Sequence, residues 1–262
     1  MDFSLNGKKV HASTGGVPFD ATKPVVVFLH GAGMDHTVWF LQSRWFAYRG
    51  RGVLALDFPG HGRSEGPLLE TIEAMADWVA GALDHLGVKQ AALVGHSMGA
   101  LAALSFAARH ADKARALGLV GAALAMPVSK DLLGAAAADH HDAIDMVNLW
   151  GHGFHAGLGG CEWPGVWMTG SSEDLLERAG KGVLSNDLAA CNAFQGAAES
   201  AAKVACPALI VQGSRDMMTP LKGARALAAA IPEGSIQVVP GAGHMVMIER
   251  ASETLEALAG AM

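Results

Sequence analysis

The run Ala91-Ala92-Leu93-Val94-Gly95-His96-Ser97-Met98-Gly99-Ala100-Leu101 decides how this chain folds. Residues 91–94 are a short apolar stretch of strand length, and from Met98 to His110 the alanine-rich composition favours a helix. Between them Gly95 and Gly99 flank a serine, which predicts a strand, a sharp turn and a helix. Side chains at the flanking positions would collide with the neighbouring strand or helix, so the glycines let Ser97 stand in a strained conformation above a sheet. Its hydroxyl then lies at a helix start, where free N–H groups favour a developing negative charge. Taken alone, five residues of this kind can also be a glycine-rich turn with no chemistry. The same turn bears on membrane insertion: residues 91–108 carry no Asp, Glu, Lys or Arg, approaching the length of a bilayer span, but the turn divides them and no span is predicted.

Working outward, short apolar runs alternate with longer amphipathic stretches, the pattern of a mostly parallel twisted sheet flanked by helices. Strands are expected at 25–29, 53–56, 91–94, 117–120, 208–212 and 236–239, and helices at 37–48, 69–86, 98–110, 221–230 and 246–258. Phe3 to Ala12 alternates around Asn6-Gly7, a hairpin signal. The alternation stops after Val120 and resumes at Pro207, far too long a gap for an ordinary loop. An α/β core of residues 1–122 and 204–262 with a helical cap inserted at 123–203 is therefore expected. Within the insertion, Leu149 to Met168 holds six glycines and Trp150, Trp163 and Trp167. That mixture suits a lid over an apolar pocket, or equally an irregular loop pinned to the core by its tryptophans.

Serine at its ordinary pKa is a poor nucleophile, so a reactive Ser97 needs a histidine base and a carboxylate to orient it. His244 follows the strand 236–239 in Gly241-Ala242-Gly243-His244, and Asp216 follows the strand 208–212 in Gly213-Ser214-Arg215-Asp216. Both sit at carboxyl ends of core strands, where open α/β sheets place their ligands. The strand 25–29 ends in His30-Gly31-Ala32-Gly33, making the Ala32 N–H a candidate oxyanion donor beside the Met98 N–H. A phosphate loop is not supported there, because His36 stands where the third glycine would be.

Together these stretches resemble the α/β-hydrolase superfamily, in its capped, esterase-like branch. The match is carried by His30-Gly31 with Trp39, by Asp57-Phe58-Pro59-Gly60-His61-Gly62-Arg63-Ser64, by the turn at Ser97, by Gly213 to Asp216 and by Gly243-His244. The resemblance implies a catalytic triad of Ser97, Asp216 and His244, an oxyanion hole of the Ala32 and Met98 amides, and a helical cap in the insertion. It implies no cofactor and no metal. Relatives that open epoxides or remove halide carry Asp at the turn, which Ser97 argues against. Some relatives place the acid after the preceding strand, but Val120-Gly121-Ala122 offers no carboxylate; should Asp216 not be the acid, Asp187 is the next residue to consider.

The remaining residues read more plainly. Asp57 and His61 look architectural within their glycine-rich loop. His140-His141 and His152-x-x-His155 lack a third ligand at sensible spacing for a metal. Met98, Met217, Met218, Met245 and Met247 suit either an apolar pocket or gap-filling in the core. With 17% charged residues and a net charge of −6, neither a disordered chain nor an electrostatically driven nucleic-acid binder is expected. Three cysteines are too few for a disulfide framework, and the polar start, Met1 to Val10, lacks the apolar run of a secretory signal, so a cytoplasmic location is expected.

The expected activity is hydrolysis of a carboxylic ester of a small or medium apolar molecule through an acyl-enzyme on Ser97, with a small apolar molecule as substrate and neither nucleic acid nor membrane as a partner. A carbon–carbon bond hydrolase of ring-cleavage diketones is the runner-up; its anionic substrates would want a cation, and Arg178 is the one arginine in the insertion. From another class, a low-turnover ligand receptor on the same fold is the alternative.

Overall fold

The computed structural model describes residues 1–262. The chain opens with a hairpin, β1 (Asp2–Leu5) and β2 (Lys8–Ser13), whose turn holds Asn6 and Gly7 at positive φ. Then follow β3 (Val25–Leu29), a short 3-10 turn (His36–Trp39), α1 (Phe40–Ala47), β4 (Gly52–Leu56), α2 (Ile72–His85), β5 (Ala91–His96), α3 (Met98–Arg109) and β6 (Ala114–Val120). Next come five α-helices and a 3-10 turn without a strand: α4 (Lys130–Ala137), α5 (Asp142–Gly151), the 3-10 turn (Phe154–Leu158), α6 (Met168–Glu177), α7 (Val183–Ala193) and α8 (Ala197–Lys203). The core resumes with β7 (Ala208–Gly213), α9 (Leu221–Ala230), β8 (Gly234–Val239), α10 (Val246–Glu249) and α11 (Ala251–Ala261). The eight strands form one sheet in the order β1-β2-β4-β3-β5-β6-β7-β8. Strands β3 to β8 are parallel, and the hairpin joins antiparallel through β2 and β4.

Helices on both faces make the central strands apolar at every position rather than every second one. Strand β3 is buried along its whole length. Its pleat sends Val25, Val27 and Leu29 into the larger cluster with α2, α3 and α9, while Val26 and Phe28 enter the opposite cluster with Phe46 of α1 and Leu258 of α11. Helix α8, although it lies within the span 123–203, packs on α3 of the core and buries Ala201 completely.

Three helical stretches differ from the periodic pattern. Helix α2 starts at Ile72, because Thr71 is extended and its side chain accepts the Ala74 N–H at 3.1 Å, making it the N-cap. The expected helix 246–258 is broken at Arg250, whose φ of −137° and ψ of 64° leave the helical region. The 37–48 stretch likewise opens as a 3-10 turn before α1.

The turn between β5 and α3 is as tight as its glycines imply. A Cβ on Gly95 would lie 2.1 Å from the Gly99 carbonyl oxygen, and one on Gly99 would lie 2.4 Å from that of Leu29. Ser97 between them has φ 52° and ψ −115°, a conformation that side-chain-bearing residues seldom adopt. Gly81, inside α2, has no atom within 4 Å of where its Cβ would be. Chemical denaturation should separate the two cases: Gly81→Ala is expected to stabilise by about 0.5–1 kcal/mol, whereas Gly99→Ala should cost on the order of 1–3 kcal/mol through backbone displacement.

Candidate active site

Ser97 directly follows β5 and is the N-cap residue of α3, but its side chain makes no capping bond, which leaves the hydroxyl to the cavity above the sheet. Its backbone is fixed on both sides: the N–H donates to the Val120 carbonyl at 3.0 Å, and the carbonyl accepts from Ala100 and Leu101. The Met98 N–H, in the first turn of α3, has no intrahelical acceptor. Ala32, after β3, lines the same cavity as Ser97 and His244.

His244 follows β8 and is buried, with Nδ1 2.8 Å from Oδ2 of Asp216, which follows β7. Chain crossing makes this possible: a Cβ on Gly213 would sit 2.0 Å from the Gly243 carbonyl, so the two loops touch backbone to backbone. Asp216 Oδ2 also accepts from Gln212 Nε2 at 2.7 Å and Thr219 Oγ1 at 2.6 Å, while Oδ1 accepts the Met218 and Thr219 N–H groups. Burial by itself would raise the pKa of this carboxyl; the charge and hydrogen bond of His244 and the Thr219 donors outweigh it and hold Asp216 below the ordinary carboxylate value. An ionised Asp216 accepts the Nδ1–H, so Nε2 of His244 carries the lone pair. Asp216 and His244 are thus brought together, and Ser97 lines the cavity with His244, with no hydrogen bond joining its hydroxyl to the imidazole.

Three further buried groups lie around these loops; of them only Asp187 is singled out by the sequence, as the alternative acid, and it bonds His61 and the Gly33 N–H, whereas the carboxylate bonded to His244 is that of Asp216. His96 is fully buried, its ring centroid lies 4.7 Å from that of His244 with the planes tilted by 53°, and it bonds the His244 carbonyl through Nε2 at 3.2 Å. Desolvation pushes its pKa well down, so it is neutral and Nε2–H is the donor. Glu249 of α10 uses Oε1 for the Gly243 N–H and Oε2 for the Gly153 N–H, tying the His244 loop to the insertion. Asp187 of α7, fully buried, accepts the Gly33 N–H at 2.9 Å and bonds His61 Nε2 at 2.8 Å.

The cavity is about 210 Å³ and its lining contains no Asp, Glu, Lys or Arg. Trp150 lines it; Trp163 and Trp167 do not, being 42% and 69% exposed, so the three tryptophans do not act together as either a lid or a pin. Met217, Met218 and Met245 line it, joined by Met34 and Met126, whereas Met98 and Met247 are fully buried in the core. His152 also borders it: Nδ1–H donates to the Asn148 carbonyl at 2.8 Å, leaving Nε2 to accept from the Ser172 hydroxyl at 3.2 Å. Arg178 lies outside this cavity, exposed and paired with Asp174.

Asp57 supports the loops as expected, accepting from the His36 N–H, the His36 ring and the Arg63 N–H. His11, His36 and Asp57 lie close enough to share a metal ion, as do His141, Glu173 and Glu177. In the first group, however, His36 Nδ1 bonds Asp57 and His11 Nδ1 bonds Asp2; in the second, His141 bonds Glu177 through Nε2. No helix is long and apolar enough to cross a membrane.

A family model described as "Alpha/beta hydrolase family" matches residues 26–257. The chain belongs to this family. This α/β hydrolase is 30% identical to the dihydrolipoyllysine-residue acetyltransferase component of the acetoin cleaving system of Pseudomonas putida, a match covering 96% of the chain and 63% of that protein's length. It is also 30% identical to the pimeloyl-[acyl-carrier protein] methyl ester esterase of Chromobacterium violaceum, over 90% of the chain and 93% of the esterase. Among solved structures, the enol-lactonase of Burkholderia xenovorans superposes with a TM-score of 0.87 at 25% identity, covering 99% of this chain and 98% of that one.

His61 illustrates how the family's glycine-rich loop is stabilised here. Burial would lower its pKa; the hydrogen bond and charge of Asp187, the Pro59 carbonyl and the more distant charge of Asp57 raise it above the ordinary value, against the neighbouring His30. Because the folded value is the higher one, the pair's contribution to stability is complete below roughly pH 6.5 and is lost as pH rises through the native pKa of His61. Denaturation midpoints at pH 6 and pH 9 should show His61→Gln trailing the parent protein by clearly more at pH 6. An equal deficit at both values would remove the charge from the account.

Proposed function

We propose that this α/β hydrolase cleaves an uncharged carboxylic ester through an acyl-enzyme on Ser97. What carries the reading is His244, bonded at 2.8 Å to the buried Asp216 behind it and bordering the cavity that is also lined by a serine free of capping bonds. In the first half-reaction Ser97 Oγ attacks the ester carbonyl as its proton passes to His244 Nε2. The carbonyl oxygen becomes an oxyanion held by the Ala32 and Met98 amides. Collapse expels the alcohol, which takes the proton from His244, and leaves the acyl group on Ser97. Water then attacks that acyl group, giving its proton to His244; the second collapse releases the acid and returns the proton to Ser97. Asp216 keeps the imidazole in the tautomer that begins this sequence and stabilises its charged form.

The insertion serves as a cap in this reading. Its helices supply Leu132, Val147, Leu176, Leu184 and Leu188 to the cavity wall, apolar surface suited to an acyl chain or alkyl alcohol. A charged substrate would lose its hydration there with no counter-ion in the wall. That weighs against anionic diketones, since Arg178 is outside the cavity and already paired.

Three measurements bear on this. Fluorophosphonate should label Ser97 alone, and Ser97→Ala should abolish both labelling and ester hydrolysis; a folded protein that resists the reagent would overturn the hydrolase mechanism in favour of the receptor reading. Asp216→Asn should fold and lose on the order of 10⁴ in kcat, because an amide favours the wrong tautomer; near-normal turnover would place the acid elsewhere. Between a methyl-capped and a free-acid version of one dicarboxylate ester, kcat/KM should favour the capped form by about 10-fold or more, and a preference for the free acid would refute the uncharged class.

A further inference from the structure

The buried carboxylate of Asp187 takes no part in the mechanism above, yet it joins the insertion to the loop that carries Ala32. It lies on α7, and the Gly33 N–H that it accepts belongs to the residue directly after Ala32. The contact is not a hydrogen bond alone. A Cβ on Gly33 would lie 3.0 Å from Leu176 Cδ2 of α6 and 3.1 Å from Leu184 Cδ1 of α7, and Gly33 has φ +69°. The peptide after Ala32 is therefore seated directly against the insertion, in a conformation that glycine alone adopts without strain.

The rest of the Asp187 environment holds the carboxylate still. Oδ2 also takes the His61 Nε2–H, and Oδ1 takes Asn186 Nδ2 at 3.1 Å, whose amide in turn reaches the Leu69 carbonyl. His61 Nδ1 lies 3.1 Å from the Pro59 carbonyl, so both of its ring N–H groups have acceptors and the ring is suited to an imidazolium facing the carboxylate. On the same helix Leu184, Leu188 and Cys191 line the cavity. One helix thus contacts both the volume for substrate and the loop expected to polarise the ester carbonyl.

We propose that Asp187 is a positioning residue for the oxyanion hole: through Gly33 it sets the aim of the Ala32 N–H and makes that aim depend on how α7 is seated. The proposal rests on the ester-hydrolase reading for its catalytic meaning. Oxyanion donors act only when already directed at the developing charge, so a small displacement of the Ala32–Gly33 peptide, passed through the Ala32 backbone to the Gly31–Ala32 peptide that carries the N–H, weakens transition-state stabilisation while leaving ground-state binding in the apolar cavity nearly intact. It follows that this side of the insertion is a fixed wall during turnover.

The test uses Asp187→Asn with two readouts, steady-state kinetics on p-nitrophenyl butyrate and the second-order rate of Ser97 labelling by fluorophosphonate, at a temperature well below the melting transition. The expected result is a 10- to 100-fold fall in kcat with KM within about threefold of the parent, and a parallel fall in labelling rate. Ala201→Gly in α8, away from the cavity, provides a protein of lowered melting temperature whose kcat should not change. Folded Asp187→Asn with parental kcat and labelling rate would overturn the proposal, as would a loss confined to KM. Should Asp187→Asn fail to fold, Asn186→Ala removes one bond that orients the carboxylate; a several-fold fall in kcat at constant KM supports the proposal, and parental kcat assigns Asp187 to folding alone. If the parent protein neither hydrolyses the ester nor is labelled, the ester-hydrolase reading fails and the positioning role fails with it; if only the Asp187 variants behave as the parent does, the hydrolase reading stands.

Discussion

There is no room for a methyl group between the start of α3 and the end of β3. The Gly99 α-carbon faces the carbonyl oxygens of Leu29 and His30, and Gly95 faces Gly99 itself. That proximity lets the chain leave β5, pass through Ser97 at positive φ and enter α3 within a single residue. The position of the hydroxyl, the direction of the first α3 amides and the nearness of the Ala32 loop all follow from it. A wider turn would carry the serine away from β3, and the donors after β3 would no longer share its cavity.

Around that turn the polar groups are arranged in opposition to burial. Desolvation acts against charge on Asp216, Asp57 and His61 alike, and in each case specific partners outweigh it. His30 and His96 show the other outcome. Their burial is not countered by a bonded carboxylate, so His30 is pulled to about 4 and His96 well below the ordinary histidine value, and both remain neutral spacers beside the loops. Charge is thus confined to the positions where a donor set fixes it, and the cavity that borders these groups has a wall without a formal charge.

The insertion is bound to the core at two places flanking the site. Glu249 spans Gly243 and Gly153, and the Gly151 carbonyl accepts both the His244 and Met245 N–H groups. Asp187 spans Gly33 and His61 on the other side. All of these core contacts except His61 are to backbone, so they impose a shape on the loops without prescribing their side chains. A loop rich in glycine has little conformational preference of its own, and external anchors of this kind supply the order that local sequence does not.

The turn at Ser97, the alternation of strands and helices, and the loops carrying Asp216 and His244 were legible in the sequence. Each depends on local rules: glycine where a Cβ would collide, apolar runs of strand length, and polar residues directly after them. Thr71 as the start of α2 was equally local but was hidden by the apolar Leu68-Leu69 before it. Only the tertiary structure decided that Trp150 lines the cavity while Trp163 and Trp167 are exposed, that Arg178 is paired outside it, and that Asp187 and Glu249 join the insertion to the core. Those outcomes turn on contacts between residues far apart in the chain, Gly33 with Asp187 and Gly153 with Glu249. Local periodicity carries no information about such pairs, because what selects them is the cost of leaving a buried carboxylate or backbone N–H without a partner.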